Sequence, residues 1–248
     1  MSPFPFAVLG EAPVIPAAVR WYELVSGGRA RLEPEAFPIV EPADGWAAYA
    51  RRGGLGPAPH NGQSLIESLL TALPARSPAL SHGVLAVIPA GYGFAPHAWR
   101  LRGGGFWLGG RQWIRRYALV PDDSPLGTVA HELGHLLFGW SDHELRSRVG
   151  ADCLMGTGAL AHRPAAPCAP CRIQAGWVEP VAATRDTVVS DLADGRVIRS
   201  GDRLIEVGPS GDVLVFEGHY VVARIAPEAN RRVLSVIASK AHLKCRSC

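Results

Sequence analysis

The sequence predicts an α+β fold, a mixed-sheet N-terminal lobe followed by a β-rich C-terminal lobe. Three observations carry this. The first half alternates short apolar runs, bounded by turn residues, with segments whose apolar residues recur at helical spacing. After Gly176 the texture changes: Val181 to Ser239 reads as short alternating strands broken at Asp194-Gly195, Ser200-Gly201, Ser210-Gly211 and Glu217-Gly218. Finally, 248 residues at 48% hydrophobic content can bury one substantial core, and no linker interrupts the chain. The expectation is one domain over 1–248, its N-terminal lobe about 1–139 and its C-terminal lobe about 140–248.

Strands are predicted at Phe6–Leu9, Ala30–Leu32, Val84–Pro89 and Trp113–Val120. Leu65, Ile66, Leu69, Leu70 and Leu73 recur at helical spacing, which predicts a helix over Ser64–Leu73 with Asn61 or Ser64 as its cap and Pro74 beyond its end. A second helix is predicted from about Ser124 to Phe138. Asp123 or Ser124 caps it, Pro125 sits in its first turn, and Gly139 stops it.

The net charge of +3 is small, and the basic residues form isolated doublets such as Arg51-Arg52 and Arg115-Arg116. That pattern argues against a nucleic-acid partner. No apolar run approaches the ~18 residues of a membrane span. Met1–Gly10 lacks a basic n-region and carries Pro3 and Pro5 in its apolar run, so it does not read as a secretory signal and the sequence by itself suggests a cytoplasmic protein.

The chemistry concentrates in His131-Glu132-Leu133-Gly134-His135. Residues four apart lie one above the other on a helix face, so His131 and His135 can present two nitrogens to one zinc ion. Glu132 is then placed to act on water as general base and acid. The alternative is a helix with two satisfied histidines and a surface glutamate. Val129, Leu133, Leu136 and Leu137 supply instead the apolar packing that a buried active-site helix needs. A catalytic zinc takes a third protein ligand. After Gly139 the candidates are Asp142, the first choice, and His143, both chemically acceptable zinc ligands. Met155 follows in Asp152-Cys153-Leu154-Met155-Gly156. A lone methionine is usually core filler, but its position after a zinc helix resembles the metzincin Met-turn, a hydrophobic floor under the metal.

Beyond the motif, the chain resembles the immune inhibitor A-like family of metzincin metallopeptidases. Trp21 to Gly28 resembles that family's YYxExSxG opening, and Val84 to Gly91 its strand ending in glycine. His131 to Asp142 resembles its HExGHxLFxWxD signature. Cys153 to Gly156 resembles its Met-turn, Ile173 to Val178 the segment after it, and Val213 to Glu217 a later strand. The resemblance implies a two-lobed, metzincin-like zinc endopeptidase with a peptide or protein substrate, His131, His135 and Asp142 on the metal, Glu132 as base, and secretion. The departures are His143-Glu144 after the aspartate, Ser141 in place of proline, and no tyrosine closely after Met155.

Five cysteines remain, two pairs of them at Cys-x-x-Cys spacing: Cys168 with Cys171, and Cys245 with Cys248. Four such thiolates can enclose a structural zinc. Two disulfides are the competing reading if the protein is exported as the resemblance implies. A redox pair is disfavoured because neither motif is expected to open a helix. Cys153 is left over as a small buried residue. His60, His82, His97, His162, His219 and His242 lack ligand spacing to the motif, and Phe106 and Trp107 either line a cleft or cover the core. Two rivals to a broad endopeptidase stay open: a zinc-stabilised scaffold that binds peptide without cutting it, and a processing peptidase for one partner.

Overall fold

A computed structural model describes residues 3–42, 44–53, 59–71, 77–100, 106–108, 112–143, 153–160, 163–182, 197–207, 211–218 and 220–226. The chain divides into two units, Met1–Ser141 with Gly158–Ala165, and Asp142–Thr157 with Ala166–Cys248.

In the first unit β1 (Phe4–Leu9) leads through α1 (Val14–Val25) to β2 (Leu32–Phe37), parallel to it. Three helices, α2 (Trp46–Gly53), α3 (Pro59–Thr71) and α4 (Pro78–His82), then lead to β3 (Val84–Ile88), which lies parallel on the other side of β1. Next come β4 (His97–Arg100), a hairpin of β5 (Phe106–Leu108) and β6 (Gln112–Ile114), and β7 (Arg116–Pro121). The sheet order is β2-β1-β3-β7-β4. Among the described residues only β4 runs antiparallel, against β7, and it forms an edge of the sheet. All five residues of β3 are buried, as a strand covered on both faces requires. One core gathers Leu65, Ile66, Leu69 and Leu70 of α3 with Leu9, Ile88 and Tyr117.

Several sequence expectations shift. The strand expected at Ala30–Leu32 begins only at Leu32, because the Ala30 N–H is held by Ser26 Oγ at 2.8 Å in the turn that closes α1. Gly27 and Gly28 make that turn with φ of 63° and 79°. The strand expected at Trp113–Val120 is two strands broken at Arg115: β6 pairs with β5, whereas β7 pairs with β3 and β4. The helix expected at Ser64 starts at Pro59, so neither Asn61 nor Ser64 caps it. Proline suits that first helical position. α1, α2 and α4 were not expected from the sequence.

The second unit holds α6 (Ala169–Gln174) and the strands β8 (Val181–Ala182), β9 (Ile198–Ser200), β10 (Arg203–Val207), β11 (Val213–Glu217) and β12 (Tyr220–Ile225). Their order is β12-β11-β10-β9-β8, antiparallel except for β8 against β9. Period-two alternation buries Ile198, Ile205, Val213 and Val215 on one face. The expected turn glycines Gly201, Gly211 and Gly218 take φ of 60°, 83° and 60°. Asp194-Gly195 and residues 227–239 of the expected β region lie outside the described residues. Among the described residues no helix is long and apolar enough to cross a membrane.

Candidate metal centres

The motif helix, α5 (Leu126–Leu133), starts two residues later than expected. Pro125 is its N-cap and neither Asp123 nor Ser124 donates a capping side chain. Gly127 fits where little else would: a Cβ there would stand 1.8 Å from the carbonyl oxygen of Ala159. Tyr22 on α1 donates its hydroxyl to the Ala130 carbonyl at 2.6 Å, pinning the backbone just before His131. The helix does not run on regularly to Phe138. It widens into a π turn over Gly134–Phe138 and stops at Gly139, whose φ of 66° is left-handed.

This widened end shapes the histidine pair. Nε2 of His131 and Nε2 of His135 lie 3.0 Å apart, with the rings near perpendicular at 82°. Two nitrogens sharing a tetrahedral zinc at about 2.0–2.1 Å each would be about 3.3–3.4 Å apart, so the pair fits one ion. The turn at Gly139 brings the Trp140 carbonyl back to 2.6 Å from His135 Nδ1. That contact makes Nδ1 the protonated nitrogen and leaves Nε2 with its lone pair for a metal. Glu132, between the two histidines in sequence, is buried.

Asp142, the third ligand expected from the sequence, is exposed and opens the second unit of the chain. A cavity of about 450 Å³ opens beside His135, lined also by Ala98 of β4, Arg116, Trp140 and Ser141. Arg116 donates to the Leu136 carbonyl at 3.3 Å.

His143 faces a different group. It is buried, and its Nε2 lies 3.4 Å from Cys171 Sγ, 3.8 Å from Cys153 Sγ and 3.8 Å from Cys168 Sγ. Cys168 and Cys171 are 3.7 Å apart, and none of the three cysteines is in a disulfide. The four side chains form a buried cluster that could bind a metal such as zinc. Met155 is buried in the same segment, and its carbonyl accepts from His143 N–H at 2.8 Å. Its own N–H, like that of Cys168, points at Cys153 Sγ, at 3.4 Å in both cases.

The three sulfurs do not ionise alike. Hydrogen bonds from Cys168 and then Cys171 hold the Cys153 thiol low, while their bonds to Cys153 push Cys168 and Cys171 up. A divalent cation among the three sulfurs would favour the thiolate form of each. The Cys-x-x-Cys pair, contrary to expectation, does open a helix: Cys168 is the N-cap of α6 and Cys171 is in its first turn. Glu206 of β10 fixes that helix by accepting from Ala169 N–H at 3.0 Å and pairing with Arg172. Burial raises the Glu206 pKa and Arg172 opposes the rise.

Two members of this cluster were read otherwise in the sequence. Cys153 is no leftover, and His143 turns to the sulfurs. The signal for both was faint, since neither has ligand spacing to the Cys168 pair. Cys245 and Cys248, expected to complete that set, lie outside the described residues. No protein-family model matches the chain, and no curated protein matches it.

Proposed function

We propose that the protein is a zinc-dependent endopeptidase of metzincin type, akin to the immune inhibitor A-like family that its motifs resemble. The observation that carries the reading is the histidine pair, its Nε2 atoms 3.0 Å apart and His135 Nδ1 engaged by Trp140, with Glu132 beside the first histidine. In this reading His131, His135 and Asp142 hold zinc, and Met155 has the Met-turn role that the resemblance implies. When bound, the ion supplies Lewis acidity to the scissile carbonyl and to water. Glu132 takes a proton from the attacking water as its oxygen adds to the carbonyl carbon. It returns that proton to the amine nitrogen as the C–N bond breaks. A non-catalytic scaffold has no need of an acid-base group in that position.

Substrate recognition follows from the sheet. As an edge strand, β4 offers backbone groups to an extended peptide, which would add as a further strand. The cavity beside His135, which Ala98 of the same strand helps to line, would then receive one substrate side chain. The test is to incubate wild type and Glu132→Ala with a denatured protein mixture and map new termini by mass spectrometry. Loss of the general base is expected to lower turnover about 10²–10⁴-fold. Zinc-loaded wild type that cuts nothing in the mixture would rule out a broad endopeptidase, leaving a one-partner processing enzyme or a binder.

A further inference from the structure

We infer that His143, Cys153, Cys168 and Cys171 hold a second zinc ion in a closed Cys3His site, separate from the histidine pair of α5. The distances are those of a tetrahedron's edges. With Zn–S near 2.3 Å and Zn–N near 2.0–2.1 Å, such a site has S···S of about 3.8 Å and N···S of about 3.5 Å. The Cys168–Cys171 separation is 3.7 Å, and the three N···S distances are 3.4, 3.8 and 3.8 Å. A disulfide would need its sulfurs at about 2.05 Å. It would also leave Cys153 and His143 buried against it with no shared purpose.

The surroundings fit a metal thiolate as well. Backbone N–H groups of Met155 and Cys168 point at Cys153 Sγ, the kind of outer donor that steadies a charged sulfur. The pair held by Glu206 and Arg172 orients the helix that carries Cys171. All four ligands are buried protein side chains, so no position is left for water or substrate, and the site is structural. It closes the chain from residue 143 to 153 and from 153 to 168. On the peptidase reading, it also fixes the segment that carries Asp142 on one side and Met155 on the other.

Cobalt separates the two sites in the full-length chain, because only a thiolate site gives an intense sulfur-to-cobalt charge-transfer band. Metal-free, reduced protein is titrated with cobalt, and bound metal is counted by native mass spectrometry. The expected result is two metals per chain and a strong charge-transfer band. The band persists in His131→Ala, which loses one metal, and in the double variant Cys245→Ser/Cys248→Ser. It is lost or sharply weakened in Cys171→Ser. A folded wild type with no such band overturns the site, as does a Cys168–Cys171 disulfide found by peptide mapping of protein isolated without reductant. Loss of the band in the Cys245/Cys248 variant overturns this ligand set. Since wild type alone gives the band, a Cys171→Ser chain that fails to fold still leaves the proposal testable. The charge-transfer band depends neither on peptide cleavage nor on the histidine pair, so it stands or falls apart from the peptidase reading.

Discussion

The carbonyl of Trp140 reaches Nδ1 of His135 only because Gly139 turns the chain back at the end of α5, with φ of 66°. An alanine there would strain the left-handed backbone by about 1–2 kcal/mol. The larger effect should fall on the metal. Once the carbonyl swings away, nothing selects the Nδ1-protonated tautomer, and losing such an outer partner costs roughly 10–100-fold in affinity. Gly139→Ala is therefore expected to weaken zinc binding at the histidine pair by about that factor, read by chelator competition. His97 on β4 makes a second residue-scale case. Burial against the edge of Tyr117 lowers its pKa, although the Ala95 carbonyl at Nδ1 works in the opposite sense. The unfolded chain then takes up its proton first as pH falls through about 6.5. Stability should fall on acidification by at most ~1.4 kcal/mol per pH unit from this group, until His97 itself protonates in the fold. Urea titrations of wild type and His97→Gln should show the variant with the shallower loss between about pH 7 and the pKa of folded His97. Equal slopes would remove His97 from the account.

Gly127 decides at the scale of an element how α5 is seated. A methyl group at that position meets the carbonyl oxygen of Ala159 at 1.8 Å, a backbone atom that cannot rotate out of the way. Gly127→Ala is expected to destabilise the protein by about 1–3 kcal/mol or more, as overpacking does. Activity should fall beyond the loss of folded protein, since the helix that shifts carries His131. A variant as stable and active as wild type would show that the close approach does not exist in solution. The same helix shows what the sequence made legible. His131, Glu132 and His135 are joined by local geometry, and so could be read from spacing alone. The π turn could not, because nothing in Gly134 to Phe138 distinguishes it from a regular helix end. α1 was readable in principle from Ile15, Ala18 and Tyr22, all buried on one face. Pro16 in its first turn disguised it. The break at Arg115 depended on which partner strands β6 and β7 would find, a non-local choice. The Cys3His cluster was half legible: Cys168 and Cys171 declare themselves by spacing, whereas Cys153 and His143 join them only through the fold.

Across the molecule, the two proposals assign neighbouring residues to different centres: Asp142 to the catalytic ion and His143 to the thiolate one. The two should nevertheless release metal on different schedules. On the peptidase reading the first would have three protein ligands and keep an open position through which a chelator can attack. The second is enclosed by four buried ligands, and its binding free energy is part of the folding free energy of the segment around it. Brief treatment with a chelator is expected to remove one zinc and abolish cleavage while leaving thermal unfolding little changed. Longer treatment in reductant should remove the second and open the surrounding backbone. Hydrogen exchange read by mass spectrometry should then rise over residues 163–182 and 203–207, where α6 and β10 meet through Glu206. The buried parallel strands β1 and β3 should keep their protection, because no ligand of the second site lies in their unit. Loss of both metals in one step, with exchange rising everywhere at once, would mean that the two centres fold as a single unit and that the thiolate zinc stabilises the whole chain.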